Sequence, residues 1–138
     1  MFDTIMVPVD LRHTPALGKA LSVAAEMAKA HNATVNYVGV TSPEPGELGH
    51  NPEEFKEKLN QFAAEQASAH GLKVAAHMII DTDPAADLRH TLTKTVDELG
   101  ADLVVMATHL PNIGNYIWAS HGGHLANHVK ASVFLVRG

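Results

Sequence analysis

Residues 103–107 read LVVMA, and the near-continuous apolar character of this run is typical of a β-strand covered on both faces. Residues 133–136, VFLV, have the same character. Short runs rich in β-branched residues at 4–9, 35–40 and 74–80 complete a set of five. Longer stretches of helical period separate these runs, and this alternation predicts an α/β domain built on a parallel sheet.

The predicted helices begin at N-cap residues followed by proline, in the pairs Thr14-Pro15, Asn51-Pro52 and Asp83-Pro84. Glu54 follows Asn51 by three residues, as in a capping box. Gly71 and Gly100 stand where a left-handed residue is expected to end a helix. The apolar residues that recur at helical spacing, and are expected to face the sheet, are Leu17, Leu21, Ala24 and Ala28 in the first helix, Phe55, Leu59, Phe62 and Ala63 in the second, and Leu88, Leu92, Val96 and Leu99 in the third.

Composition and charge restrict the classes of protein to which the chain can belong. With 138 residues, 46% of them hydrophobic, the chain is expected to form a single domain, 1–138. The net charge of −5 argues against a surface for nucleic acid or anionic membranes. The absence of cysteine excludes disulfides and thiolate ligands. The N-terminus lacks signal-peptide features and no apolar segment is long enough to cross a bilayer, so we expect a cytoplasmic protein.

A ligand site is expected at the carboxyl ends of the strands. In an open parallel sheet, ligands bind in the crevice where the strand order reverses. If the fourth strand returns beside the first, this crevice opens between those two strands. Their ends carry Pro8, Val9 and Asp10 on one side and Met106 and Ala107 on the other.

The segment after the fourth strand ends in Ser120-His121-Gly122-Gly123 and then becomes helical. The first turn of a helix offers N–H groups and a partial positive charge to an anion. Ser120 adds a hydroxyl, the two glycines leave the backbone uncovered, and the small Ala119 permits close approach of a ligand. A simpler interpretation is also open, in which Ser120 is only an N-cap and the glycines are only loop residues.

Three segments resemble the universal stress proteins: IMVPVD at residues 5–10, YVGVTSP at 37–43, and ADLVVMATH…AS…SVFLVR between residues 101 and 137. The resemblance covers nearly the whole chain. It implies a Rossmann-like α/β fold, with an open five-stranded parallel sheet in the order 3-2-1-4-5 and helices on both faces. It also implies ATP or AMP as the ligand, with Mg²⁺ as an accompanying ion.

The glycine signature of the nucleotide-binding members is altered in this chain. Ala107, Leu110 and Ala119 stand where the signature has glycine, and only Ser120 is retained. Eight residues separate Leu110 from Ala119, one fewer than in the signature. A leucine at position 110 would narrow the path to the phosphate unless the shortened loop turns it away.

The resemblance also assigns roles to individual residues. Asp10 is expected to receive the adenine or ribose, beside a wall formed by Pro8 and Val9, and the backbone of Val40 is expected to contact the adenine. The base of the phosphate path would be lined by Met106, Ala107 and His109, and its far end by Ala119, Ser120 and His121. Asp10 also fits a plainer role, because an acid after a buried strand often caps the local backbone.

The residues Ala107-Thr108-His109-Leu110-Pro111 are similar to a branch of the family whose members are encoded beside TRAP-type solute transporters and regulate them. The resemblance therefore implies a nucleotide sensor whose partner is such a transporter. No arrangement of residues supplies an obvious base and nucleophile, so we expect no catalytic residues. A nucleotide-free interaction module is the alternative, supported by the missing glycines. A slow ATPase is disfavoured because no metal-holding acid lies near Ser120.

Two further expectations concern metals and assembly. His121, His124 and His128 can share one helical face, but no carboxylate lies among them, and we expect no metal site there. A homodimer is expected through the fifth strand, whose apolar residues Val133, Phe134, Leu135 and Val136 would form a sheet edge. Two such edges can satisfy each other about a two-fold axis, and universal stress proteins commonly dimerise along this strand.

Overall fold

The computed structural model describes residues 1–41, 51–81, 84–108 and 122–137. The strands are β1 (Thr4–Pro8), β2 (Thr34–Thr41), β3 (Lys73–Ile80), β4 (Leu103–Thr108) and β5 (Ser132–Arg137). The helices are α1 (Gly18–His31), α2 (Pro52–His70), α3 (Pro84–Leu99) and α4 (Gly122–His128). The five strands form one sheet in the order β3-β2-β1-β4-β5, with every neighbouring pair parallel. The predicted strands and their order are confirmed.

Helices cover both faces of the sheet, and each face has its own core. On one face, α1 and α2 pack on side chains such as Ile5, Val35 and Val105. On the other face, Leu92 and Val96 of α3 and Leu125 of α4 pack on alternate residues of the same strands, such as Met6, Val38 and Val104. This arrangement follows from the near-continuous apolar strands, because successive side chains of a strand point to opposite faces.

The ends of the helices test the capping predictions. The Asn51 side chain accepts a hydrogen bond from the Glu54 N–H at 3.0 Å, so α2 begins as predicted. Gly71 and Gly100 adopt φ values of 67° and 64°, the left-handed conformation expected after α2 and α3. Asn32 ends α1 in the same conformation at φ 54°, a cap that we did not predict from the sequence.

The predicted start of the first helix at Thr14-Pro15 is wrong. A 3₁₀ helix spans Leu11–Leu17 with Pro15 inside it, and α1 begins only at Gly18. The N-cap of this 3₁₀ helix is Asp10, whose side chain accepts a hydrogen bond from the Arg12 N–H. The chain therefore turns immediately after β1, because an acid at the strand end satisfies the first backbone donor of the turn.

Asp102 ties the start of β1 to β4. Its carboxylate accepts hydrogen bonds from the N–H groups of Asp3 at 2.8 Å and Thr4 at 3.1 Å. Its own N–H donates to the Thr4 carbonyl, and its carbonyl accepts from the Ser132 N–H. One residue thus joins β1, β4 and β5 at the end of the sheet opposite the predicted crevice.

A close approach between α2 and β2 occurs at Gly39. A Cβ atom on Gly39 would lie 2.9 Å from Cζ of Phe55 and 3.4 Å from Cδ2 of Leu59. Only glycine allows α2 to lie this close to β2 without a shift of the Phe55 ring.

Within the described parts of the chain, no helix is both long and apolar enough to span a membrane.

Candidate functional site

The carboxyl ends of the strands are staggered next to β1. β1 ends at Pro8, which is level with Val38, whereas β2 continues to Thr41. Continued along this register, Asp10 lies level with Val40. On the other side of β1, Ile5 is level with Leu103, so the same continuation places Val9 level with Ala107.

This stagger directs main-chain groups of Val40 toward the space beyond β1. The Val9 N–H donates to the Val38 carbonyl at 2.8 Å, which places the main-chain groups of Val38 on the β1 side. The Thr41 carbonyl accepts from the Asp81 N–H at 2.9 Å, so Thr41 faces β3. In a strand, the main-chain N–H and C=O groups of alternate residues point toward the same neighbouring strand. Those of Val40 therefore point toward the β1 side, and β1 has already ended at this level.

Asp10 and Arg12 form a tight pair at this strand end. Oδ1 of Asp10 accepts hydrogen bonds from the backbone N–H of Arg12 at 3.0 Å and from its Nε at 3.1 Å. Oδ2 accepts from Nη2 at 3.2 Å, which makes the ion pair bidentate. The Asp10 side chain is 4% exposed and that of Arg12 is 35% exposed. The Arg12 side chain is therefore the more accessible half of the pair.

The chain is similar to known proteins in both sequence and fold. Residues 1–137 match the model of the universal stress protein family. The chain belongs to this family. A solved universal stress protein from Archaeoglobus fulgidus is similar with a TM-score of 0.67 at 21% identity, over 98% of both chains.

Two other solved universal stress proteins hold a ligand. One, in complex with cAMP, has a TM-score of 0.66 at 21% identity, over 98% of this chain and 97% of the other. The other, from Archaeoglobus fulgidus in complex with dAMP, has a TM-score of 0.64 at 20% identity, over 96% of both chains. At these identities the likeness shows that this universal stress protein shares their fold.

The described part of the candidate site contains six of the predicted contact residues. They are Pro8, Val9, Asp10, Val40, Met106 and Ala107. The strand register brings all six to the carboxyl ends of β1, β2 and β4. The side chains of Pro8, Val9 and Met106 are buried, and Val9 and Met106 belong to the two cores. A contact between Met106 and a ligand would therefore be made by the Met106 main chain. Val40 and Ala107 are half-buried.

The other five predicted contact residues, His109, Leu110, Ala119, Ser120 and His121, lie outside the described residues. The helix expected after them is present, since α4 begins at Gly122. The metal-site interpretation also involves side chains outside the described set. Among the side chains that the structure describes, no group of three His, Cys, Asp or Glu residues is placed to hold a metal ion.

Arg12 was missed by the sequence reasoning. Its signal was available, because an arginine two residues after a strand-terminal aspartate can fold back onto the carboxylate. The pair also shows that Asp10 caps local backbone, the plainer of its two proposed roles. A contact between Asp10 and a ligand stays a prediction. The capping does not preclude it, because a carboxylate can accept several hydrogen bonds.

Proposed function

We propose that this universal stress protein binds an adenine nucleotide beyond the carboxyl ends of β1, β2 and β4 and reports its presence to a partner protein. The observation that carries the proposal is the unequal reach of β1 and β2. β1 stops at Pro8, while β2 runs on to Thr41. The resulting gap is bordered by main-chain groups of Val40 and by the Asp10–Arg12 pair.

The adenine ring fits the Val40 side of this gap. One strand residue offers an N–H donor and a C=O acceptor side by side. The edge of an adenine offers the complementary pair, a ring nitrogen that accepts and an exocyclic amino group that donates. Main-chain recognition of this kind depends on the strand ending and not on a particular side chain, so a valine at position 40 is compatible with it.

The Asp10–Arg12 pair fits the ribose side. Arg12 holds the Asp10 carboxylate by two side-chain hydrogen bonds, at 3.1 Å and 3.2 Å. A carboxylate fixed in this way is a hydrogen-bond acceptor for a sugar hydroxyl. The Arg12 side chain, which is 35% exposed, adds a positive charge at the mouth of the gap.

The phosphate side belongs to the segment between β4 and α4. Ala107 at the end of β4 is small and half-buried, which leaves room next to the strand end. Ala119, Ser120 and His121 would hold the phosphate just before α4, and His109 and Leu110 would border its path. The relatives in complex with cAMP and dAMP support an adenine nucleotide with at least one phosphate. With ATP, Mg²⁺ would be bound largely through the phosphates, as this ion usually is.

Nucleotide binding would serve signalling and not catalysis, with at most slow ATP hydrolysis. A nucleotide shifts a protein between two arrangements only if it binds one of them better. The segments between β2 and α2 and between β4 and α4 are those whose arrangement a bound nucleotide would select. We propose a cytoplasmic protein whose partner is a TRAP-type transporter, on the sequence resemblance to that branch of the family.

A homodimer through β5 is part of the proposal. β5 is one edge of the sheet, and its Phe134 and Leu135 side chains are 43% and 42% exposed. The Ser132 N–H donates to the carbonyl of Asp102, the residue just before β4, so by alternation Val133 and Leu135 direct their main-chain groups outward. Leu135→Pro would remove an outward donor without touching the β4 ladder. Sedimentation should report twice 14.7 kDa for the wild type and a shift toward the monomer for this variant.

The ribose contact is tested by titration calorimetry with AMP and dAMP. Asp10→Ala should weaken AMP binding by about 1–3 kcal/mol, because a buried acceptor for the sugar hydroxyl is lost. Binding of dAMP should weaken less. Arg12→Ala is the comparison variant, because it removes the positive charge at the gap and keeps the carboxylate, and it should weaken AMP and dAMP binding equally. Equal losses for AMP and dAMP in Asp10→Ala would remove Asp10 from the ribose contact.

The phosphate end is tested separately. Ala119→Leu should abolish nucleotide binding through bulk while the thermal stability of the protein stays unchanged. Ser120→Ala should weaken binding by about 1 kcal/mol, the value of one hydrogen bond. Undiminished affinity in Ala119→Leu would place the phosphate elsewhere.

A second candidate function is an interaction module that binds no nucleotide. The replacement of signature glycines by Ala107, Leu110 and Ala119 favours it. In that case the strand-end gap would be filled by the protein's own loops, and neither AMP nor ATP would change the melting temperature.

A further inference from the structure

The edge of the sheet opposite β5 is formed by β3, which is unusually regular for an edge strand. β3 pairs with β2 over eight consecutive residues, from Lys73 to Ile80, in unbroken parallel register. It contains no proline, and its only basic side chains are Lys73 at the start and His77 in the middle. Natural sheet edges are usually protected by proline, bulges or charges, because a long apolar edge recruits another strand.

Four residues of β3 direct their main-chain groups away from the sheet. The Asp81 N–H donates to the Thr41 carbonyl, so Asp81 faces β2. By alternation along the strand the residues at 73, 75, 77 and 79 also face β2. The outward-facing residues are therefore Val74, Ala76, Met78 and Ile80.

The side chains of β3 divide in the same alternating way. Val74, Ala76 and Met78 pack against the core under α1 and α2, and Ile79 packs against the core under α3. Ile80 follows the even series and is 52% exposed. The outward residues thus carry apolar side chains on a single face, with the most exposed one at the end of the strand.

We infer that β3 pairs with β3 of a second copy, antiparallel, about a two-fold axis at His77. In this register Ala76 lies opposite Met78 of the other copy and Val74 lies opposite Ile80. All four outward residues then exchange main-chain hydrogen bonds with outward residues. A shift of the axis by one residue leaves Val74 or Ile80 without such a partner.

Charge complementarity supports the same register. With the axis at His77, Lys73 of one copy lies opposite Asp81 of the other, on the α3 face. Lys73 is exposed and its Nζ donates to the Asn32 carbonyl at 3.1 Å, which leaves further donors on the ammonium group. Asp81 is held beside the strand end by Thr91, whose Oγ1 donates to it at 3.1 Å. The two-fold axis produces this opposite-charge pair twice.

The self-complementary pattern identifies the partner as a second copy. Small Ala76 meets long Met78, exposed Ile80 is covered by Val74, and the basic end of the strand meets the acidic end. An unrelated strand would have to reproduce this order by chance. Because β3 and β5 lie at opposite edges, the β3 contact can form in addition to a β5 contact and would build assemblies larger than a dimer.

Disulfide trapping tests this contact directly, because the chain contains no cysteine. In the proposed register the two copies of residue 77 form a pair without main-chain hydrogen bonds, with Cα atoms about 4.5 Å apart. This separation lies within the range that a disulfide bridges. His77→Cys should therefore form a covalent dimer in oxidised glutathione, visible on a non-reducing gel.

Ala75→Cys is the matched control, because the two copies of residue 75 would lie about 13 Å apart, four residues of about 3.3 Å each. We expect His77→Cys to cross-link roughly tenfold faster or more, because the contact raises the local thiol concentration. Adding Ile80→Lys to His77→Cys should slow the cross-linking. Equal rates for His77→Cys and Ala75→Cys, in protein shown to be folded by circular dichroism, would overturn the inference. The result does not depend on nucleotide binding.

Discussion

Tyr37 provides a prediction whose size can be worked out from the structure. Its side chain is fully buried between β2 and α2, and its ring packs edge-on against Phe62 with the ring centroids 5.4 Å apart. Its hydroxyl is buried and has no hydrogen-bond partner among the described residues. Burial disfavours the charged phenolate and raises the pKa of Tyr37 from 10.0 to about 12.

The raised pKa implies a loss of stability in alkali. Below pH 10 both the folded and the unfolded chain carry the proton, and the pKa difference has no effect. Above pH 10 the unfolded chain loses the proton first, so the free energy of unfolding falls by about 1.4 kcal/mol per pH unit up to the folded pKa. The loss from this residue should be about 1.4 kcal/mol at pH 11 and approach about 2.7 kcal/mol above pH 12.

The assay is urea unfolding of the wild type and Tyr37→Phe between pH 8 and pH 11. At pH 8 the variant should be at least as stable as the wild type, because it removes a buried hydroxyl without a partner, a group that costs about 1–3 kcal/mol. Its advantage should grow by about 1.4 kcal/mol by pH 11. Tyr116→Phe controls for the ionisation of a tyrosine elsewhere in the chain. A constant difference between wild type and Tyr37→Phe across this pH range would refute the reasoning.

Two other substitutions test the packing and the strand ends. Asp102→Ala should lower the free energy of unfolding by about 1–3 kcal/mol, because two backbone N–H groups lose their acceptor. The control is Asp97→Ala, which removes an exposed charge from α3. It should change the free energy of unfolding by less than about 0.5 kcal/mol in the same urea titration. Gly39→Ala should cost about 1–3 kcal/mol, because its Cβ meets the Phe55 ring at 2.9 Å. The cost should shrink in a Phe55→Leu background, and equal costs in both backgrounds would show that the ring is not the obstacle.

The strands and most helices were predictable from local chemistry. Runs such as LVVMA are apolar throughout, and only strands buried on both faces require this. The inner stripe of α2, from Phe55 to Ala63, is buried as its spacing predicted. Asn51 and Gly71 act at the ends of that helix through their own side chain or backbone freedom, so their roles can be read without tertiary contacts.

The errors and omissions arise where a local signal competes with a longer-range one. Thr14-Pro15 has the pattern of a helix start, but Asp10 caps the chain four residues earlier and the segment becomes a 3₁₀ helix. The spacing of two residues between Asp10 and Arg12 was a signal for their pairing, but the bidentate geometry of the pair depends on the turn that Asp10 creates. Which N–H and C=O groups of β3 point away from the sheet depends on which of its residues face β2. Only the strand register supplies that information.

The most direct test of the central claim is the identification of a ligand carried by the protein itself. The protein is purified at low salt without added nucleotide and denatured, and the released small molecules are separated and identified by mass spectrometry. A parallel thermal melt is recorded with and without millimolar ATP or AMP. The account predicts an adenine nucleotide in the released fraction and a higher melting temperature with added nucleotide. No released nucleotide, together with an unchanged melting temperature in both ATP and AMP, would contradict the account.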